Sequence, residues 1–402
     1  MKKSIKKLLS ITAATFMAAT SAIPILSSAA SNVLVSGNWS YRIENNGTAT
    51  IVDFSQLQDV ITDINIPSTL GGATVTTIGD HAFQFESDLV TVTIPDTVTT
   101  IEDYAFADCS IRTVELPDSL TSVGDYAFIR CAYLAKATLP DSVTKLGIGV
   151  FNRCTMLKEA TLPVGLTEIP AETFWGCKTL TSYAIPDGIT TIGDEAFNGC
   201  TWLTSISIPD TVTTIGQYAF AYSGLTSVSL PDSVTSLGNS AFQFCMDLTD
   251  VSLSQNLTTV PISAFRSCYN LREIILPQGI TNINSKAFAF CFLLGRVIVQ
   301  SNDVTVADDA FVGSSGQVEA PVMMSASVSL KNVGPQYTYI ALEADGTLWG
   351  DITGDYATDI LDTMELAQQT VDGTTINKYD YNNDGIVDVL DVMSLAVFIV
   401  AA

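Results

Sequence analysis

Residues Leu203 to Phe220 read LTSISIPDTVTTIGQYAF, and the chain repeats the phrase at once, as LTSVSLPDSVTSLGNSAF from Leu225 to Phe242. In both copies Leu-x-x-Ile/Val-x-Ile/Leu alternates apolar and polar residues, the period of a short strand with one buried face. Pro-Asp then ends the strand, because proline has no amide to give to a ladder. Outward from this pair, phenylalanine recurs at Phe83, Phe106, Phe128, Phe151, Phe174, Phe197, Phe220, Phe242, Phe265, Phe288 and Phe311, a mean interval of 22.8 residues. No single unit of that size buries its apolar side. Stacked units do, with strands about 4.8 Å apart in parallel ladders.

Composition agrees with a packed core: the 402 residues are 47% hydrophobic and 9% aromatic. Against 42 acidic residues stand 18 basic ones, a formal net charge of -24. That balance argues against nucleic acid, whose phosphates require a basic face. Residues 1–30 have the make-up of a secretion signal: a lysine-rich start, MKKSIKK, an apolar stretch from Leu8 to Leu26, then small residues to Ala30. Cleavage near Ala30 is expected, leaving a secreted, extracellular chain with no transmembrane segment. The run Val392 to Ala402 is too short to span a bilayer, which takes about 20 residues.

With Ala usually before the Phe, and Leu, Ile or Val before a Gly-Asp turn, the unit resembles the BspA-like leucine-rich repeats of bacterial surface proteins. The resemblance covers Pro67 to Phe311 and implies a β-rich solenoid, parallel ladders joined by short helical or turn segments. Before the repeats, WSYRIENNGTATIVDF (Trp39 to Phe54) sets Asn46-Gly47 between alternating stretches, which predicts a hairpin covering the first open edge. After them, SASVSL and QYTYIAL read as strands that close the other end.

Cys109, Cys131, Cys154, Cys177, Cys200, Cys245, Cys268 and Cys291 each lie three residues after a repeat Phe and so occupy one column. Ser223 divides them into stacks of five and three, which cannot pair completely, and strands about 4.8 Å apart are wide for the Cβ separation of about 3.8 Å that a disulfide prefers. Buried structural thiols are expected, over disulfides or a metal ladder. His81, the single histidine, sits where other units place Tyr104, Tyr126 and Tyr218. It reads as a repeat position, not as part of a catalytic triad. The exposed strand column is expected to run Thr93, Glu115, Thr138, Thr161, Ala184, Ser207, Ser229, Ser252, Ile275, Ile298. Its residues suit a solvated β face or a concave binding surface, and with few aromatics it does not suit sugar stacking.

The tail carries its own chemistry. From Asp380 it reads DYNNDGIVDVLD, the calcium-loop pattern D-x-[DN]-x-[DN]-G. Calcium takes roughly six to eight oxygens, here from Asp380, Asn382, Asp384, the Ile386 carbonyl, Asp388 and Asp391, with Gly385 making the turn. Twenty-nine residues earlier, DITGDYATDILD puts Asp351, Thr353, Asp355, the Ala357 carbonyl, Asp359 and Asp362 in the same slots. A helical segment follows each loop, with Met364, Leu366, Ala367 and Val371 matching Met393, Leu395, Ala396 and Val400.

Duplicated loop-helix segments with Asp at position 12 resemble the type I dockerin family, from Trp349 to Val400. That resemblance implies a small all-α domain binding two Ca²⁺ and docking onto a cohesin domain of a scaffoldin, as cellulosome components do. Thr353 and Tyr356 depart from the pattern and are expected to weaken the first site. Ile360-Leu361 and Val389-Leu390 stand where many dockerins carry a polar pair read by the cohesin, so an apolar partner surface is expected, in either of two orientations.

The expected organisation is therefore a signal peptide at 1–30, an N-terminal cap at 31–66, the solenoid at 67–316, a C-terminal cap and linker at 317–348, and the dockerin at 349–402. The function read from it is a non-catalytic secreted binding module anchored to a scaffoldin, its repeats serving protein or surface interaction. The alternatives are a carbohydrate-active component of the same polysaccharide-degrading assembly, either a glycan-binding adhesin or an unrecognised hydrolase, and a purely structural spacer.

Overall fold

The computed structural model describes residues 33–55, 61–301 and 304–314, and the backbone of two further strands, Gly316–Pro321 and Tyr337–Leu342. The expected signal peptide, the tail with its calcium ligands and its two apolar pairs, and SASVSL lie outside the described residues. The chain divides into two compact units, the first ending at Leu166 and the second beginning at Thr167. Each is a β-solenoid in which every turn repeats the last at a shift of about one 23-residue period.

The first unit opens with β1 (Val33–Ser36), β2 (Trp39–Ile43) and β3 (Ala49–Phe54), joined antiparallel. β3 then pairs parallel with Ala73–Ile78, so the hairpin continues the first turn's ladder. Its loop runs from Glu44 to Thr48: the Gly47 amide donates to the Glu44 carbonyl (2.9 Å), and the Glu44 amide to the Thr48 carbonyl (2.8 Å). Gly47 takes φ +83°, which glycine adopts at no steric cost. Phe54 stacks on Phe83 at 5.5 Å, and Trp39 closes over both.

Two ladders follow in each unit. The Leu-x-x-Ile-x-Ile segments form the first, for example Ser182–Ala184 with Ser205–Ser207, and Ser227–Ser229 with Asp250–Ser252. The Thr-Thr-Ile segments form the second, for example Glu168–Ile169, Thr191–Ile192, Thr214–Ile215 and Ser236–Leu237. All these pairs are parallel and in register, which keeps each apolar side chain over its equivalent. The core is the phenylalanine column: Phe83, Phe106, Phe128 and Phe151 stack in the first unit at 4.9 to 6.0 Å. In the second, Phe174 to Phe311 stack at 5.2 to 5.4 Å. Such pairs add about 0.5–1.5 kcal/mol each beyond the burial of their area.

No helix occurs among the described residues; the connections expected as helical or turn segments are turns of one kind. Around each Phe, alternate amides point along the stack and back along the chain. Phe83 and Phe85 donate to Ala105 and Ala107 of the next turn, while Ala82 and Gln84 donate to Gly79 and His81 behind them. This alternation puts the residues two before and two after the Phe in the left-handed region, as at His81 (φ 59°), Phe85 (φ 69°), Tyr218 (φ 53°) and Tyr222 (φ 57°). Most of these residues are not glycine. The strain of about 1–3 kcal/mol at each is offset by the inter-turn hydrogen bonds that the conformation permits. Glycine is required elsewhere for closeness: a Cβ on Gly216 would lie 2.6 Å from the Asp194 backbone nitrogen.

Candidate functional site

The first ladder shows its outer face to solvent. Along each three-residue strand the central residue turns into the core, and the residue after it is exposed. In each unit the residues of the column expected from the sequence lie on that unit's own outer face, Thr93 to Thr161 in the first and Ala184 to Ile298 in the second, with only Ile298 half-buried. A second exposed column runs beside it: Ser182, Ser205, Ser227, Asp250, Glu273 and Arg296 in the second unit. Flanking threonines use their hydroxyls on the fold. Thr204, Thr226 and Thr249 donate to the Thr181, Thr204 and Thr226 carbonyls of the preceding turns at 3.0 to 3.3 Å.

In the second unit this face holds a shallow depression of about 670 Å³, with Ser227, Ser229 and Ser252 as its small polar floor and Asp250, Glu273 and Arg272 as its charged side. Arg296 Nη1 meets Glu273 Oε2 at 3.0 Å. The surface thus offers hydroxyls and charges of both signs on an open, nearly flat sheet. Such a surface can hydrogen-bond to another macromolecule. It lacks the enclosure of a small-molecule pocket.

The other residues singled out by the sequence are placed as follows. All eight cysteines are buried and none is in a disulfide. Their thiols serve as hydrogen-bond donors, and those of Cys109, Cys131, Cys154, Cys200, Cys245, Cys268 and Cys291 reach the carbonyl of the core Phe one turn earlier, at 3.1 to 3.2 Å. In the last of these turns Ser314 takes over the role and bonds the Phe288 carbonyl at 2.7 Å. Burial pushes the Cys131, Cys245 and Cys291 thiols up to about 12, so they stay protonated and unreactive. His81 stacks on Tyr104 at 5.1 Å in the repeat position expected for it. Among the described residues no group of His, Cys, Asp and Glu is placed to hold a metal ion.

Sequence reasoning missed an exposed aromatic corner, because it followed only the strand column. Rings project just after the core Phe: Tyr222 stacks on Phe244 at 4.7 Å, and Tyr269 on Phe292 at 5.1 Å, with Trp202 and Tyr133 at the same corner of other turns. Reading the positions two, four and five residues after each Phe in register reveals this column.

Comparison with known proteins bears on the repeats. A family model described as a BspA type leucine rich repeat region matches residues 76–203 and 190–317. Among solved structures, the chain is 29% identical to a leucine rich cell surface protein from Faecalibacterium prausnitzii, covering 73% of this chain and 96% of that one, with a TM-score of 0.46. A leucine-rich repeat protein from Bacteroides ovatus is 21% identical, covering 77% and 100%, with a TM-score of 0.47. The pneumococcal vaccine antigen PcpA is 19% identical, covering 79% and 100%, with a TM-score of 0.45. No curated protein matches the chain.

Proposed function

Because this chain belongs to the BspA-type leucine-rich repeat family, we propose that it is a non-catalytic binding module whose repeats present the outer face of the first ladder to a protein or a surface. The observation that carries this reading is the open depression over Ser227, Ser229, Ser252, Asp250 and Glu273, where side chains free of the core lie on a rigid parallel ladder. Rigid placement lowers the ordering cost of association. The test is to block the face: Ser229→Trp with Ser252→Trp leaves every core residue in place. Proteins crosslinked to the repeats in culture supernatant should be lost with this variant, and unchanged crosslinking would refute the reading.

The proposal extends to delivery. Its support is the sequence alone: the leader at 1–30 for export, and the two loops at 351–362 and 380–391 for the tail. Their donors are all oxygens, carboxylates, an amide, a hydroxyl and backbone carbonyls, the set that a hard cation such as Ca²⁺ takes. In this reading calcium neutralises the loop carboxylates and so lets the tail fold. Ile360-Leu361 and Val389-Leu390 then form the surface that a cohesin domain covers, holding the exported repeats on a scaffold.

A further inference from the structure

The turns beginning at Phe106 and Phe220 are one residue shorter than the others. The missing residue belongs to the corner that follows the core Phe. In the Phe197 turn this corner reads Cys200-Thr201-Trp202-Leu203, and in the Phe220 turn Ser223-Gly224-Leu225, with Leu203 and Leu225 both fully buried. The shortened corner lies close against its neighbour: the Gly224 amide donates to the Cys200 carbonyl at 3.3 Å, and a Cβ on Gly224 would lie 2.4 Å from the Thr201 oxygen. The Phe220 turn therefore has no residue in register with Trp202, which is 61% exposed.

Tyr222 stands at the same corner of that short turn and is 45% exposed. One face of its ring is covered by Phe244. The other is directed at the preceding turns, whose equivalent residues are Gly199 (φ 73°) and Gly176 (φ 70°). Those glycines leave bare backbone where other turns carry a side chain.

The chain itself shows what a ring at this corner accepts. Arg112 lies over Tyr133, and Arg266 over Phe290, each with its guanidinium 5.7 Å from the ring centre. Arg266 stands one residue after its core Phe and Phe290 two residues after the next, so the residue equivalent to Arg266 for Tyr222 is Asn198, whose amide donates to Glu195 Oε2 at 3.0 Å. The cation that covers Phe290 from the preceding turn is thus replaced by a neutral side chain before Tyr222. Between 167 and 314 the chain has 13 acidic and 5 basic residues; of the latter, Arg266 is already on Phe290 and Arg296 on Glu273. A field of that sign draws cations, and an aromatic face binds them.

The geometry points to a receptor for a basic side chain of a protein partner, its guanidinium or ammonium seated on the open face of Tyr222 above Gly199, with Trp202 at the adjoining corner. This deepens the proposed protein-binding role and rests on it.

The test titrates the full chain with a short arginine-glycine peptide, its lysine and glutamine counterparts, and a neutral gluco-oligosaccharide, read as the fluorescence change that Trp202→Phe removes. The arginine and lysine peptides should bind and the glutamine peptide should not. Tyr222→Leu should weaken binding about five- to thirty-fold, and Tyr222→Phe should retain it. Gly199→Arg gives a second route: Arg130 and Arg153 occupy this column at φ 57° and 59°, so an arginine fits there, and it should fill the site and exclude the peptides without deleting any contact. Equal binding by wild type and Tyr222→Leu would overturn the receptor, as would binding of the oligosaccharide alone or of no probe. A protein crosslinked to the repeats that still binds Tyr222→Leu and Gly199→Arg would also overturn it while leaving the proposed function standing.

Discussion

Cys245 Sγ lies 3.1 Å from the carbonyl oxygen of Phe220, one turn earlier in the stack, and Ser223 Oγ lies 3.2 Å from the same sulfur. The thiol is therefore a buried donor, and the carbonyl it satisfies has no access to water. Cys245→Ala should destabilise the protein by about 0.5–1.5 kcal/mol, the worth of one buried hydrogen bond, since the Ser223 amide still donates to the Phe220 carbonyl at 3.2 Å. Cys245→Ser should be milder, since Ser314 already plays this part. Denaturant unfolding of the two variants decides; equal losses would mean that volume alone matters at this position.

The same burial protects the whole column. In the native protein no cysteine should react with a thiol reagent near neutral pH, and after denaturation without reductant all eight should. Fewer than eight reactive thiols in the denatured protein would mean that the native chain carries disulfides.

Glu102 occupies a position where most turns have glycine, and its Oε2 accepts the Asp80 amide at 3.1 Å. Burial, and then the Asp80 charge, hold its carboxyl above the usual range. An acid whose folded pKa is raised binds its proton more readily in the native state, so stability falls as pH rises from the unfolded pKa through the folded one. Glu102→Gln should therefore raise the melting temperature at neutral pH, and the gain should fade as pH drops through the carboxylate range. A gain independent of pH would refute the electrostatic account.

Gly216→Ala forces a Cβ to within 2.6 Å of the Asp194 nitrogen and should cost about 1–3 kcal/mol, as overpacking does. At Gly165 a Cβ meets nothing within 4 Å, so Gly165→Ala should be close to neutral. Melting curves of the pair separate a demand for closeness from a general cost of removing glycine.

On the proposed reading of the tail as a calcium-loaded, cohesin-binding segment, Asp380→Ala should abolish the tighter of two calcium-binding events in calorimetry of the full chain, and Asp351→Ala the weaker. Ile360→Asp with Val389→Asp should abolish cohesin binding measured by surface plasmon resonance, because a buried charge costs comparably to the apolar burial it replaces or more. Either single change should leave one orientation available. Undiminished binding by the double variant would place the interface elsewhere.

The period, the core and the thiol column were legible in the sequence, because side chains repeated in register have to lie over one another once the units stack. Leu203, Phe220 and Cys200 needed no structure to be assigned inward. The left-handed arcs were not legible: His81, Tyr104 and Lys286 give no glycine signal, and only hydrogen bonds to the next turn make the conformation favourable. Nor did the strand column reveal the aromatic corner. A ring two residues after a core Phe is visible in the sequence, and only tertiary packing decides whether a guanidinium of the preceding turn covers it, as at Phe290, or leaves it open, as at Tyr222.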